Sequence, residues 1–268
     1  MTYGTTDVAT IYDRKQTHGD IAKMIYVVDK RQSLHFEQVF RACEKAGYSD
    51  GIDIHHIGFG TVNGKDGKPF KTREGKAMTF RDMVQTTIDK ASQRIEEVSL
   101  AEGLDDNARA DIAKKVAVSA LKFTELSNQT HMDYIFDIDR MTSFEGKTGP
   151  YLLYQTVRIK SLLRKAEAQN IDLKNAELSL QEEDRTLALL LGQFSDALDL
   201  SIQNYAPHHL CEYIYKLAQA FSSFYGNVHI LSEEDEVLRA SRLLLSQKVA
   251  DQLEQGLSLL GISIPDRM

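Results

Sequence analysis

The sequence predicts an α/β segment followed by an all-helical segment, and two observations support this division. Residues 23–29 form an apolar, β-branched run without polar alternation, which is typical of a strand buried on both faces of a parallel sheet. Beyond Gly149-Pro150, apolar residues recur at helical spacing almost to the end of the chain. We therefore expect two domains, residues 1–145 and residues 146–268.

The α/β segment begins with a predicted βαβ unit. A helix over residues 32–46 follows the first strand and ends at Gly47, and a second strand-like run covers residues 54–62. Three further segments follow: a helix starting near residue 79, a helix over 111–126, and a strand or extended insert over 134–140.

Four helices are predicted in the C-terminal segment, each with an apolar stripe and polar connections. They cover residues 151–169, 182–202, 208–225 and 234–260.

Composition limits the possible functions. The chain has 268 residues, of which 42% are hydrophobic, and 32 Lys and Arg against 39 Asp and Glu give a net charge of −7. An acidic protein does not coat nucleic acid with its whole surface, so any nucleic-acid contact must be local. No apolar run approaches the ~18 residues of a membrane span. The polar start does not resemble a secretory signal, so a cytoplasmic protein without membrane contact is expected.

The two cysteines predict neither a metal site nor a disulfide. Cys43 and Cys211 lie far apart and have no companion Cys or His at ligand spacing. We interpret both as small buried hydrophobic residues.

A glycine-rich cationic loop over residues 63–76 is the strongest chemical signal in the chain. Its glycines allow backbone N–H groups to approach an anion, and its basic side chains can neutralise one. A solvated hairpin tip is the alternative interpretation. Because the loop leaves the second strand of a βαβ unit, where ligands of open α/β sheets bind, its position favours phosphate binding. The basic residues are Lys65, Lys68, Lys71, Arg73 and Lys76.

An aromatic and basic stripe runs along the first helix of the C-terminal segment. Tyr151, Tyr154, Arg158 and Lys165 share one side of that predicted helix. Such a stripe can stack nucleobases and hold phosphates, while the alternative is a set of half-buried tyrosines beside solvated cations.

Seven separated segments, taken together, resemble the arginyl-tRNA synthetase family in order and spacing. The resemblance covers residues 3–268 and rests on the segments Y-G-T-T-D-V-A, I-Y-V-V-D-K-R-Q-S-L-H-F, H-H-I-G-F-G-T-V, F-K-T-R-E-G, D-Y-I-F-D-I-D-R-M, Y-L-L-Y-Q-T-V-R-I and G-I-S-I-P-D-R-M.

The resemblance implies the C-terminal half of a Rossmann-type nucleotide-binding domain joined to a helical anticodon-binding bundle. It also implies ATP, with Mg²⁺, as co-substrate for joining arginine to its tRNA, and no protein-bound metal or DNA partner. The implied site residues fall into four groups. These are Lys71, Thr72, Arg73 and Gly75 for catalysis in place of the KMSKS signature; Tyr3, Asp7 and Gln32 for arginine; His56, Phe59, Gly60, Lys71 and Arg73 for ATP; and Lys147, Tyr151, Tyr154, Arg158 and Lys165 for tRNA.

The second signature of class I synthetases, HIGH, is not matched. His56-Ile57-Gly58-Phe59 lies in a strand-like run and ends in phenylalanine, whereas HIGH opens a helix and ends in histidine. We therefore expect the HIGH half to be missing and the chain alone to be inactive. Two hypotheses remain: a C-terminal portion of an arginine–tRNA ligase that works with a separate N-terminal half, or a non-catalytic tRNA-binding module.

Overall fold

The computed structural model describes residues 3–64, 66–68 and 79–268. Its internal contacts divide the chain into two units, residues 1–70 with 129–136 and residues 71–128 with 137–268. The predicted domain boundary between residues 145 and 146 stays a prediction.

The first unit contains the predicted βαβ arrangement. The elements are α1 (Tyr3–His18), β1 (Lys23–Asp29), α2 (Ser33–Lys45), β2 (Asp53–Phe59), β3 (Val62–Asn63) and β4 (Tyr134–Ile135). The strands β1 and β2 pair in parallel, with Lys23 opposite Asp53 and Asp29 opposite Phe59, and β3 and β4 form a second, short parallel pair.

The core of this unit lies on one face of β1. Ile11 of α1 and Val39 and Cys43 of α2 pack there with Met24. On the opposite face, the side chains of Ile25 and Val27 are 44% and 60% exposed. The expectation that β1 is buried on both faces is therefore wrong, because the helices of this unit pack against only one of them.

The predicted strand over residues 54–62 is interrupted. Gly60 donates its N–H to the carbonyl of Thr130 at 3.0 Å. A Cβ on Gly60 would lie 2.3 Å from the carbonyl oxygen of Met132, so the backbones approach too closely for any side chain. The approach of residues 130–132 ends β2 at Phe59, and β3 starts two residues after Gly60.

The second unit is helical over its described residues, 79–128 and 137–268. The helices are α3 (Phe80–Glu97), α4 (Asp106–Ser127), α5 (Ile138–Met141), α6 (Gly149–Ala168), α7 (Arg185–Leu191), α8 (Phe194–Gln203), α9 (His208–Asn227) and α10 (Glu236–Leu259). The N-cap of α3 is Thr79, which forms a capping box with Asp82, and the N-cap of α6 is Thr148, whose hydroxyl accepts the N–H of Tyr151.

Two of these helical regions differ from the prediction. The insert over 134–140 contains strand β4, but Asp137 then caps the short helix α5. The single helix predicted over 182–202 is divided at Gly192 into α7 and α8. At this break the carbonyl of Leu190 accepts the hydroxyl of Tyr213 at 3.1 Å in addition to the N–H of Gln193 at 3.0 Å. The carbonyl of Leu191 accepts the side-chain amide of Gln252 at 2.9 Å.

The core of the second unit lies among α4, α6, α9 and α10. Gly149 permits the start of α6 to touch α4, because a Cβ there would lie 2.1 Å from the carbonyl oxygen of Ser119. Cys43 and Cys211 are both free and fully buried, which confirms their interpretation as small core residues. Within the described ranges, no helix combines the length and apolar character needed to cross a membrane.

Candidate functional site

The first candidate site lies where α1 meets the start of α2. Asp7 is on α1, one turn after Tyr3, whose side chain is 88% exposed. The Oδ2 atom of Asp7 lies 2.6 Å from Nε2 of His35, in the first turn of α2. Gln32 is the residue immediately before α2 and is exposed. The structure thus brings Asp7 to the end of α2 that Gln32 precedes, and Tyr3 is the first described residue of α1.

The turn that carries Gln32 is ordered by a charged pair. Asp29, the last residue of β1, accepts hydrogen bonds from the backbone N–H of Arg31 at 2.8 Å and from its guanidinium at 2.7 to 3.1 Å. These hydrogen bonds from Arg31 lower the pKa of the Asp29 carboxyl to about 2. The turn between β1 and α2 therefore keeps its shape through a carboxylate that stays ionised at neutral pH.

Three of the residues predicted to contact ATP, His56, Phe59 and Gly60, lie in β2 or directly after it, and the other two, Lys71 and Arg73, lie outside the described residues. The ring of His56 stacks on Phe36, with centroids 4.8 Å apart, and its Nε2 lies 3.1 Å from the carbonyl oxygen of Val28. Since a carbonyl only accepts, that nitrogen donates. Phe59 is partly exposed at the end of the strand, and Gly60 is required by the close backbone approach described above. An ATP role for these three residues stays a prediction.

Asp133 connects this end of β2 to the turn after β1, and sequence reasoning did not identify it. Its Oδ1 accepts the N–H of Thr61 at 2.7 Å and the ammonium of Lys30 at 2.9 Å. The hydrogen bond from Lys30 is the largest cause that lowers the pKa of Asp133 to about 2. Lys30 and Asp133 are 103 positions apart in the chain, so no local pattern could have indicated the pair.

The glycine-rich loop is described only at its start. Gly64 donates to the carbonyl of Lys68 at 2.7 Å, and Gly67, with φ +72°, donates back to the carbonyl of Gly64 at 2.9 Å. This tight turn agrees with the predicted loop after the second strand. The predicted catalytic residues Lys71, Thr72, Arg73 and Gly75 lie outside the described residues.

The second candidate site is a cavity of about 410 Å³ on the helical unit, between α6 and residues 266–268. Tyr154 and Arg158 of the predicted stripe both line it, together with Arg164, Arg267 and Met268. Residues 266–268 are attached to α6 by the guanidinium of Arg164, which donates to the carbonyl of Asp266 at 3.2 Å. The cavity therefore combines three guanidinium groups with an aromatic ring.

Arg158 is oriented by an aromatic residue of α9 that sequence reasoning missed. Its guanidinium carbon lies 4.6 Å from the centroid of the Tyr225 ring, within the range of a cation–π interaction. Tyr225 in turn stacks on the buried Phe221, with centroids 5.8 Å apart. Helical spacing within α9 predicts an apolar face but does not identify which ring meets α6.

The other predicted stripe residues do not join this cavity. Tyr151 packs edge-to-face on Tyr215, and burial raises the pKa of its hydroxyl. Lys147 pairs with Glu212 and lowers the pKa of that carboxyl, while its ammonium lies 6.0 Å from the Tyr215 ring. Lys165 is exposed in the last turn of α6. Thus the structure groups Tyr154 with Arg158, and Tyr151 with Lys147 around Tyr215.

The first unit contains a parallel βαβ arrangement, and the helical unit carries the cavity lined by Tyr154 and Arg158, which we call the Tyr–Arg cavity. Comparison with known protein families identifies the class of protein in which these two parts occur together, the class I tRNA synthetases. Residues 152–268 match the DALR anticodon binding domain family, and residues 1–138 match the family described as tRNA synthetases class I (R), catalytic domain. The second match covers 138 of the 268 residues, and the chain belongs to this class I tRNA synthetase (R) family.

Curated relatives agree with the family. The chain is 50% identical over 267 residues to the arginine–tRNA ligase of Hyphomonas neptunium and 47% identical over 266 residues to that of Maricaulis maris. Each match covers 99% of this chain and 45% of the relative, so the chain spans less than half of their length.

Solved structures show the same fold. The arginyl-tRNA synthetase of Plasmodium falciparum superposes with a TM-score of 0.82 at 29% identity, over 99% of this chain and 44% of that one. The Thermus thermophilus arginyl-tRNA synthetase has a TM-score of 0.75 at 27% identity, over 92% of this chain and 41% of that one. The resemblance inferred from the seven sequence segments is thereby confirmed, as is the fold class of an α/β part followed by a helical bundle.

Proposed function

We propose that this chain is the C-terminal portion of an arginine–tRNA ligase, which activates arginine with ATP and transfers it to its tRNA. Residues 1–145 would complete the catalytic domain, and residues 146–268 would bind tRNA. The observation that carries the proposal is the Asp7 carboxylate held by His35 in the first turn of α2, the helix that Gln32 precedes, because a module that only bound tRNA would not need it.

In the proposed arginine site, Asp7 pairs with the guanidinium of the substrate. A carboxylate and a guanidinium form charge-assisted, planar hydrogen bonds, and Tyr3 and Gln32 add neutral groups that fix the orientation of the ligand. The exposure of Tyr3 and Gln32 supports this role, since both are accessible to a ligand.

ATP would be bound by residues at the carboxyl end of β2 and by residues of the basic loop. His56, Phe59 and Gly60 would contact the nucleotide, and ATP would arrive as its Mg²⁺ complex. Lys71 and Arg73 would stabilise the charge that develops on the phosphates, while Thr72 and the backbone at Gly75 position them. The tight turn at Gly64–Lys68 supports a loop that leaves the sheet at this point.

The Tyr–Arg cavity is the proposed site for an anticodon-loop base. Single-stranded bases stack on aromatic rings and guanidinium planes, and the cavity offers both through Tyr154 and Arg158. Lys147, Tyr151 and Lys165 would contact the neighbouring backbone, where Lys147 would exchange Glu212 for a phosphate. A local concentration of cations permits this in a chain of net charge −7.

A further polypeptide segment would complete the catalytic site. Ile25 and Val27 expose an apolar strand face, which costs free energy in water and suits a packing partner. We propose that this partner is the N-terminal half that carries HIGH in the family.

A non-catalytic tRNA-binding module is the second candidate. It is favoured by the cavity on the helical unit, because its lining comes from residues 154–268 without any contribution from the catalytic part.

Arginine-dependent exchange of pyrophosphate into ATP separates the two candidates. It is measured with the chain alone, with the chain plus the portion of the Hyphomonas neptunium relative that it does not match, and with the mixture carrying Lys71→Ala and Arg73→Ala. We expect exchange only in the unsubstituted mixture, because adenylation needs donors on both sides of the phosphates. Exchange by the chain alone would refute the need for a partner. No exchange despite demonstrated association would favour the binding module.

A further inference from the structure

We propose that His35 is the positioning residue that holds the Asp7 carboxylate for the guanidinium of arginine. The inference rests on the proposed arginine site and adds a residue to it. Nε2 of His35 lies 2.6 Å from Oδ2 of Asp7. An ionised carboxylate has no proton to give, so this nitrogen carries the hydrogen and donates it.

The ring of His35 is itself oriented by the core. It packs edge-to-face against Phe36, with centroids 5.3 Å apart and planes at 74°. Phe36 is buried and contacts the rings of Tyr26 and His56. The aromatic cluster over β1 and β2 therefore sets the orientation of His35, and the hydrogen bond from His35 in turn orients Asp7.

This bond leaves Asp7 able to bind a ligand. A carboxylate has about four lone-pair sites, of which His35 uses one on Oδ2, so Oδ1 remains available for a guanidinium. Arg14 lies two turns further along α1, with its guanidinium carbon 5.4 Å from the centroid of the Tyr26 ring. The Arg14 guanidinium therefore contacts the Tyr26 ring of β1.

Positioning matters because a side chain on a helix surface otherwise samples several rotamers. Ordering Asp7 before binding removes an entropy cost that arginine would have to meet. It also fixes the direction of the carboxylate plane, which matters more for the rigid, planar fork of a guanidinium than for the point charge of an ammonium. Loss of His35 should therefore weaken arginine binding more than ATP binding.

The test is equilibrium dialysis of labelled L-arginine, and separately of ATP, against the mixture with the unmatched portion of the Hyphomonas neptunium relative. His35→Ala should raise the arginine Kd about tenfold and leave the ATP Kd within about twofold. His35→Gln should recover most of the affinity, because its amide nitrogen can donate from a similar position. Glu37→Ala is the matched control, since Glu37 is on the same helix and pairs with Arg41.

Two results with His35→Ala would overturn the inference. One is arginine binding equal to that of the parent, and the other is a joint loss of arginine binding, ATP binding and thermal stability, as expected of a residue that only supports the fold. If His35→Ala does not fold, a His35→Gln protein that folds with parental Tm but binds arginine as weakly as Asp7→Ala would count against the proposal. Absence of arginine binding by the parent mixture would refute the proposed function and the inference together. If only the inference is wrong, the parent mixture still binds arginine, so the two failures are distinguishable.

Discussion

Replacement of Arg158 by alanine should weaken tRNA binding by the isolated chain without unfolding it. Arg158 lines the cavity of the helical unit, and its guanidinium carbon lies 4.6 Å from the Tyr225 ring, so it is oriented before any ligand arrives. The substitution removes one positive charge and one stacking plane from the proposed site, while the Tyr225 ring still packs on Phe221.

The magnitude follows from these contacts. A hydrogen bond to a charged group contributes about 1.5–3 kcal/mol, and partial exposure of the cavity places the expected loss near the lower end, about 1–2 kcal/mol. This is roughly a 5- to 30-fold increase in Kd. One lost phosphate contact also lowers the slope of log K against log salt by about 0.7 for single-stranded nucleic acid. The lost cation–π contact should cost about 0.5–1 kcal/mol of folding stability.

Fluorescence anisotropy with a labelled tRNA that bears an arginine anticodon measures Kd at several salt concentrations. Arg185→Ala is the matched control, because Arg185 is exposed at the start of α7 and its loss changes the net charge equally. The double variant with Tyr154→Ala should lose about 1–3 kcal/mol, and less than the sum of the single effects because both side chains share one cavity.

An Arg158→Ala chain with parental Kd and salt slope would refute the assignment of this cavity. Equal weakening by Arg185→Ala would show that binding follows net charge instead of a defined site. A parent chain that binds no tRNA would remove the basis for the tRNA role of residues 146–268.

Three further predictions concern folding and reactivity. Gly60→Ala should lower the Tm of the first unit by several degrees, measured by circular dichroism, because its Cβ would meet the Met132 carbonyl at 2.3 Å. Gly4→Ala is the comparison and should not lower the Tm, because Gly4 lies in α1 of the same unit with open space around it. Asp133→Ala should reduce the loss of stability on acidification. The pKa of Asp133 in the folded chain is about 2 against an ordinary value of 3.8, so the contribution of its carboxylate to folding stability is present above about pH 4 and lost as pH falls through 2. A variant whose urea midpoint varies with pH like that of the parent over this range would contradict the prediction. Burial raises the pKa of Cys211 to about 12, so its thiol should react with a thiol reagent only after denaturation, and rapid labelling of the native chain would contradict its place in the core.

Local periodicity predicted most elements of the fold. The strand over 23–29 is observed at those residues, and the helices predicted over 32–46 and 151–169 are observed at Ser33–Lys45 and Gly149–Ala168. These segments have a pattern that repeats within a few residues and caps that lie next to them. The type and the extent of each of these elements are therefore determined by residues that are close together in the chain.

Helix α1 was not predicted, although it carries Tyr3 and Asp7. Only Ile11 of its 16 residues is buried, and the rest of the segment is largely polar, so its amphipathic signal is weak. Its partners in the small core, Met24, Val39 and Cys43, come from β1 and α2. Tertiary packing stabilises this helix, which propensity alone leaves marginal.

The sequence by itself determined the class of fold, the family resemblance, the cationic loop and the identity of the arginine-site and tRNA-site candidates. Only the tertiary structure decided which polar groups meet: His35 with Asp7, Lys30 with Asp133, and Arg158 with Tyr225. The physical reason is the sequence distance over which each interaction acts. Periodicity and capping act within a few residues of one element, whereas each of these pairs joins different elements and depends on how the chain between them folds.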